Sequence, residues 1–176
     1  DTLDGLKGVK IRVPDKNAQD MCAAVGMAPV LIPWGETIPA LASGAVDGQE
    51  NPLHIFTAAK LHNVGQKYVT IWGYLADPLI FVVNKEVWNS WTPEDRAIVK
   101  QAAIDAGKQE IALARKGLTG ADDAMYKEVA ALGVTVTRPT PAERQAFATA
   151  TRPTYDKWTQ TIGPDLVKRA EAAVAA

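Results

Sequence analysis

Three short apolar runs separated by two helical patterns fill the first fifty residues, and their order restricts the fold more than any other feature. Val9, Ile11 and Val13 alternate with Lys10 and Arg12, the period-two pattern of a strand, and Pro14 stops it. Asn17–Val25 carries helical spacing, with Met21, Ala24 and Val25 on the inward face and Gly26 in the C-cap role. Ala28–Ile32 is a second apolar run, closed by a Pro33-Trp34-Gly35 loop. Glu36–Ala42 predicts a helix ended by Gly44, and Ala45–Gly48 a third strand. Strand, helix, strand, helix, strand implies parallel strands with helical crossovers, an α/β lobe with a mostly parallel sheet and flanking helices.

The third strand empties into a polar knot, Gln49-Glu50-Asn51, before Pro52 opens a helix over Leu53–His62 with Leu53, Phe56, Ala59 and Lys60 on one face. Open α/β sheets hold ligands where a strand meets the N-terminus of the next helix. From the residues alone, an ordinary joint capped by Asn51 fits as well. Tyr68–Trp72 and Pro78–Asn84 read as strands, the second so continuously apolar over Leu79–Val83 that both its faces are expected to be covered. Lys85–Ser90 is a short helix. Thr92-Pro93-Glu94-Asp95 then caps a long one, whose Ile98, Val99, Ala102, Ala106, Ile111, Ala114 and Leu118 keep helical spacing to a bend near Gly120. Gly133 ends the helical region and Val134–Thr137 is a strand. The prolines of the tail divide it into two helices, Glu143–Thr149 and Thr154–Ala173.

A chain of 176 residues buries a core of its own and defaults to one domain. Its 19 basic and 20 acidic residues leave a net charge of −1, so no basic field recruits nucleic acid or an anionic membrane. No run reaches the roughly 18 apolar residues of a membrane helix. Cys22 is the only cysteine, which excludes an internal disulfide and reads as a small buried apolar residue. His54 and His62 lack the i, i+4 spacing of a helical metal pair, and no glycine-rich phosphate loop is present, so neither metal nor cofactor is expected.

Val46-Asp47-Gly48-Gln49-Glu50-Asn51-Pro52, preceded in register by LKGVKIRVP at Leu6–Pro14 and IPWGE at Ile32–Glu36, resembles the periplasmic solute-binding subunits of tripartite ATP-independent periplasmic (TRAP) transporters, of the dicarboxylate-receptor (DctP) type. The resemblance covers essentially the whole chain and implies a periplasmic-binding-protein-like fold with a long interlobe helix. It also implies that this chain is the C-terminal part of an incomplete bilobal receptor. Residues 1–76 would form the ligand-binding core of the second lobe. Residues 77–120 would carry a strand and a long helix crossing to the first lobe, and residues 121–176 a return strand and C-terminal helices. A lone part of this kind exposes a strand edge and an apolar helix face that dimerisation or segment exchange would cover. The function implied is capture of a small organic acid in the periplasm and delivery to TRAP membrane permease subunits, by binding and closure rather than catalysis.

On its own, Arg12 fits either a ligand clamp, a planar fork for a carboxylate, or a sheet-edge residue paired with a surface acid. The resemblance implies the clamp. It likewise turns Asn51 toward the ligand, where the residues alone make it a helix cap, and makes Trp34 a wall against the ligand's apolar body. Asp15 stands where related receptors often carry Asn; an acid this close to Arg12 either orients it or disfavours an anion. Trp72 and Tyr74, with Asp77, lie where the chain would cross between lobes, as ligand contacts or as core. Trp88, Trp91 and Trp158 read as packing residues. Glu50 and Asp47 suggest the acid pair of a dehydratase-like enzyme, although backbone hydrogen bonding around the turn is the simpler role. The effector-binding lobe of a transcription regulator is a third possibility.

Overall fold

The computed structural model describes residues 2–75, 78–118 and 122–175. Its centre is a three-stranded parallel sheet of β1 (Lys10–Val13), β2 (Ala28–Leu31) and β3 (Gly48–Gln49) in the order β2-β1-β3. Arg12 of β1 stands opposite Val30 on one side and Gln49 on the other. The crossovers are α1 (Lys16–Ala24) and α2 (Trp34–Ala42), as the alternating pattern requires. After α3 (Leu53–Ala58) the chain reaches β4 (Tyr68–Thr70), which pairs in parallel with the distant β5 (Thr135–Thr137). Helices α4 (Lys85–Ser90), α5 (Pro93–Arg115) and α6 (Ala124–Ala131) lie between those strands. Helices α7 (Pro141–Ile162) and α8 (Pro164–Ala175) follow β5.

Two apolar cores hold these elements. Ile11, Val13, Ala18, Met21 and Cys22 seal β1 against α1, with Met27 and Trp72 packed on them. Leu41, Val46, Leu53, Phe56, Leu61, Val129 and Val134 join α2, α3, α6 and the start of β5. Ala24 is exposed rather than inward, because Ala18 and Cys22 share the buried face with Met21.

Several boundaries depart from the sequence pattern for local reasons. Strand β3 is two residues long because Asp47 stands in for the ladder, its carboxylate accepting from the Lys10 amide at 2.9 Å while its own amide donates to the Lys10 carbonyl at 2.7 Å. Helix α2 starts at Trp34, not Glu36, so Trp34 is helical rather than in a loop. Helix α3 stops at Ala58: Lys60 takes a left-handed conformation with φ of +51°, and a 3₁₀ turn at Leu61–Val64 then buries Leu61 completely. The tail holds two helices, as expected, but the boundary between them lies elsewhere. Helix α7 runs through Pro153, and the break falls at Gly163-Pro164. The bend expected near Gly120 lies outside the described residues. Helix α5 ends at Arg115.

The strand expected over Pro78–Asn84 does not form. A strand needs a backbone partner, and among the described residues none pairs with it; Leu79, Ile80, Phe81 and Val82 are 79%, 78%, 71% and 78% exposed. Helix α5 is begun as expected by the Thr92 side chain, which accepts from the Asp95 amide at 3.1 Å, yet it buries none of its residues.

Helix α7 survives its internal proline by docking on α1. Asp20 of α1 accepts from Lys157 at 2.5 Å and from the Trp158 indole at 3.3 Å, and its other oxygen pairs with Lys16 at 3.1 Å. Lys157 first, then Lys16, holds the Asp20 carboxyl below its ordinary value of 3.8. A depressed folded-state value contributes stability above the ordinary value and loses it as pH falls through the folded one. Asp20→Asn is therefore expected to lower the thermal midpoint at pH 7, and the gap to the parent to close on acidification below pH 3.8. Thermal melts of both proteins across that range check it; a gap that persists unchanged in acid contradicts it.

Candidate ligand-binding cleft

The three strands point the same way, so the joints that follow them gather at one end of the sheet. There they enclose a cleft of about 1180 Å³. Arg12, Asp15, Trp34, Asn51, Trp72 and Tyr74, all singled out from the sequence, line it together. Asp77 lies outside the described residues. A smaller hollow of about 550 Å³, walled by Phe81, Val83, Trp88, Val99 and Ile104 with Lys85 and Lys100, sits against the unpaired apolar segment. It gathers no comparable set of polar groups.

Arg12 is not at a sheet edge. It occupies the middle strand and is only 4% exposed. Its Nε donates to the Ile32 carbonyl at 2.8 Å, and its guanidinium lies 5.6 Å from the centroid of the Trp34 ring. Both partners come from the Ile32-Pro33-Trp34 segment that links β2 to α2. Burial pulls the Arg12 pKa below its ordinary value, opposed by Glu50 and then Asp15. A guanidinium keeps its charge through such a shift. No carboxylate reaches ion-pair distance of it among the described residues.

The other groups are placed by the neighbouring joints. Asp15 caps α1, its Oδ1 accepting from the Ala18 amide at 2.9 Å. Asn51 is not a cap: Pro52 holds the N-cap position of α3 without a side-chain bond, and the Asn51 amide instead donates to the Gln49 side-chain oxygen. Trp34 is 42% exposed, one face open to the cleft. Trp72 is packed between Tyr74 and Phe147, with ring centroids 5.0 Å and 4.6 Å away. Trp72 is thus packed on the α1 core and also lines the cleft.

Tyr74 donates its phenol to Glu50 at 2.5 Å, across 24 residues of sequence. Burial, then Glu50, pushes the phenol pKa up, so it stays protonated. The backbone role expected of Asp47 and Glu50 holds for Asp47. Glu50 instead faces the cleft, bonded to Tyr74, and neither it nor the Phe147 support behind Trp72 carries a local sequence signal.

The family model "Bacterial extracellular solute-binding protein, family 7" (DctP) matches residues 1–161. The chain belongs to this family. A TRAP periplasmic solute-binding protein from Ralstonia eutropha H16, solved with bound (S)-2-acetolactate, is 58% identical, with a TM-score of 0.96, covering 99% of this chain and 56% of that one. A solute-binding protein of Verminephrobacter eiseniae is 35% identical over 133 residues, 74% of this chain and 38% of that protein. The C4-dicarboxylate-binding periplasmic protein DctP of Rhodobacter capsulatus is 28% identical over 179 residues, 98% of this chain and 51% of that protein. The chain thus spans about half of the length of such relatives, or less. The α/β architecture with parallel strands is that of the TRAP solute-binding structures.

Cys22, at the cleft wall, is buried, and desolvation followed by the Glu50 charge pushes its thiol up to about 12. A thiol reagent at pH 8 is expected to label the native protein at least about 100-fold more slowly than the protein in denaturant. Comparable rates in the two states would show that Cys22 is accessible and ionised.

Proposed function

We propose that this chain is the ligand-holding part of a periplasmic receptor that captures a small organic acid and delivers it to a TRAP-type permease. One observation carries the reading: Arg12 is a buried cation on a cleft wall, with one nitrogen bonded to a carbonyl and no carboxylate at ion-pair distance among the described residues. A buried charge is costly until it is paired. A carboxylate entering the cleft pairs it in the planar, two-bond geometry for which a guanidinium is suited.

In this reading Arg12 clamps the carboxylate, Asn51 orients it and Trp34 covers the carbon skeleton. Asp15, Trp72 and Tyr74 complete the wall. Closure of a facing lobe expels water and strengthens the charge pair. Residues 1–76 form the binding core, and residues 77–120 and 121–176 carry the crossing and returning segments. The exposed apolar residues of 78–84 and α5 are then surface that the rest of the receptor covers, or that dimerisation or segment exchange covers when this chain stands alone.

The relatives support the ligand class: the Ralstonia eutropha protein was solved with (S)-2-acetolactate, and the Rhodobacter capsulatus protein is named for C4-dicarboxylates. Capture without turnover agrees with the family's solute-binding character. It also agrees with the state of the two acids an enzyme would use, Asp47 held by the Lys10 backbone and Glu50 by the Tyr74 phenol.

A thermal-shift and calorimetric screen of the full-length protein against small organic acids tests this. A ligand present at 100 times its dissociation constant adds about 2.7 kcal/mol of stability. Arg12→Lys, which keeps the charge and loses the fork, is expected to weaken binding roughly 10- to 100-fold, and Arg12→Ala to abolish it. The acid should be recovered unchanged. Binding of the same acid by the parent and Arg12→Ala with equal affinity would overturn the clamp, and conversion of the acid would overturn the receptor.

A further inference from the structure

Among the described residues that line the cleft, three are acids, and each is held by a donor other than Arg12. Asp47 accepts from the Lys10 amide and Asp15 from the Ala18 amide, each at 2.9 Å. Both of these donors are backbone groups, fixed by strand pairing and by the start of α1. Glu50 is held differently. It accepts the phenol of Tyr74 at 2.5 Å, a side chain 24 residues away.

Glu50 is also the acid that the strand register brings next to Arg12. Arg12 stands opposite Gln49 on the neighbouring strand, about 4.8 Å away across a sheet, and Glu50 is the next residue. Of the charges around Arg12, that of Glu50 acts on it ahead of Asp15. A buried guanidinium with N–H groups to spare and a flexible carboxylate this near close readily into a two-bond pair. Among the described residues no such pair forms. The phenol bond diverts the carboxylate: it is short and charge-assisted, and its donor is anchored. The Tyr74 ring lies 5.0 Å from that of Trp72, which lies 4.6 Å from the buried Phe147 ring.

Resting on the receptor reading above, we propose that Tyr74 is a positioning residue, which holds the cleft's own Glu50 carboxylate off Arg12 and so keeps the guanidinium open to an incoming acid. Without the phenol, Glu50 swings onto Arg12 and occupies the clamp from within. An incoming acid then binds only the fraction of molecules whose clamp is open. If Glu50 fills it in about nine molecules of ten, the apparent affinity falls about tenfold. This role differs from that of a side chain touching the ligand. A direct contact is lost whatever Glu50 does, whereas a restraint on Glu50 matters only while Glu50 carries its charge.

The test is a double-mutant cycle on the full-length protein, titrated by calorimetry with succinate, 2-hydroxybutanoate and 2-oxobutanoate. Tyr74→Phe keeps the ring that packs on Trp72 and removes only the phenol oxygen. It is expected to weaken binding at least about tenfold in the parent, and less than about threefold in a Glu50→Gln background. A ligand-free crystal structure of Tyr74→Phe is expected to show Glu50 at ion-pair distance from Arg12. A loss that persists in the Glu50→Gln background assigns the phenol to the ligand and overturns the proposal. So does a Tyr74→Phe protein that binds as tightly as the parent, or one whose Glu50 stays away from Arg12; each of these leaves the receptor standing. If neither these acids nor the broader set binds the parent, the receptor reading falls, and the Tyr74→Phe structure alone decides whether the phenol restrains Glu50.

Discussion

The cleft depends on a guanidinium held inside the middle strand of a parallel sheet. Such a group tolerates burial only when its N–H groups are answered and its charge is balanced nearby. The topology supplies part of each, because parallel strands send their following joints to the same end. The first joint contributes Asp15, the second the Ile32 carbonyl and the Trp34 ring, the third Glu50 and Asn51. Local demands fix each of these: Asp15 is where it is because it caps α1, and Trp34 because α2 starts directly after Pro33. The site is thus assembled from helix starts, and its precision is the precision of the crossovers.

A second set of contacts ties this wall to the far end of the chain. Trp72 leaves β4 and packs against the α1 core and Phe147 of α7, which sets the neighbouring Tyr74 where its phenol meets Glu50. Helix α7 is held in turn by Asp20 of α1. Tyr74 therefore reports on the docking of α7, although no residue of α7 beyond Phe147 lines the cleft. Loosening that dock would reach the ligand wall through two aromatic contacts, a route carried by packing rather than by a hydrogen-bond chain.

What was legible in the sequence was what local physics decides. The strand at Val9–Val13, the helix at Lys85–Ser90 and the Thr92 cap follow from alternation, helical spacing and cap chemistry, and all three stand in the structure. The misses fall where a distant partner decides. Leu79–Val83 has the composition of a buried strand but no strand beside it among the described residues. Pro153 looks like a helix break, yet α7 continues because its face is docked on α1. Arg12 on its own fitted a sheet edge as readily as a clamp, since central placement is a property of strand order. The Glu50–Tyr74 bond spans 24 residues and leaves no trace in either local pattern.

The buried cation and the bare apolar segment are two forms of one condition, a group shaped for a partner that the described residues do not provide. They differ in what can satisfy them. In the proposed receptor, a guanidinium already bonded to one carbonyl would meet a single carboxylate through its remaining N–H groups, a small polar contact that can be made and broken. Four consecutive apolar side chains exposed over most of their surface carry a much larger hydrophobic driving force, and a surface that covers them stays. Under the proposed function, reversible capture and lasting assembly would reside in one chain without competing, because each draws on a different kind of interaction.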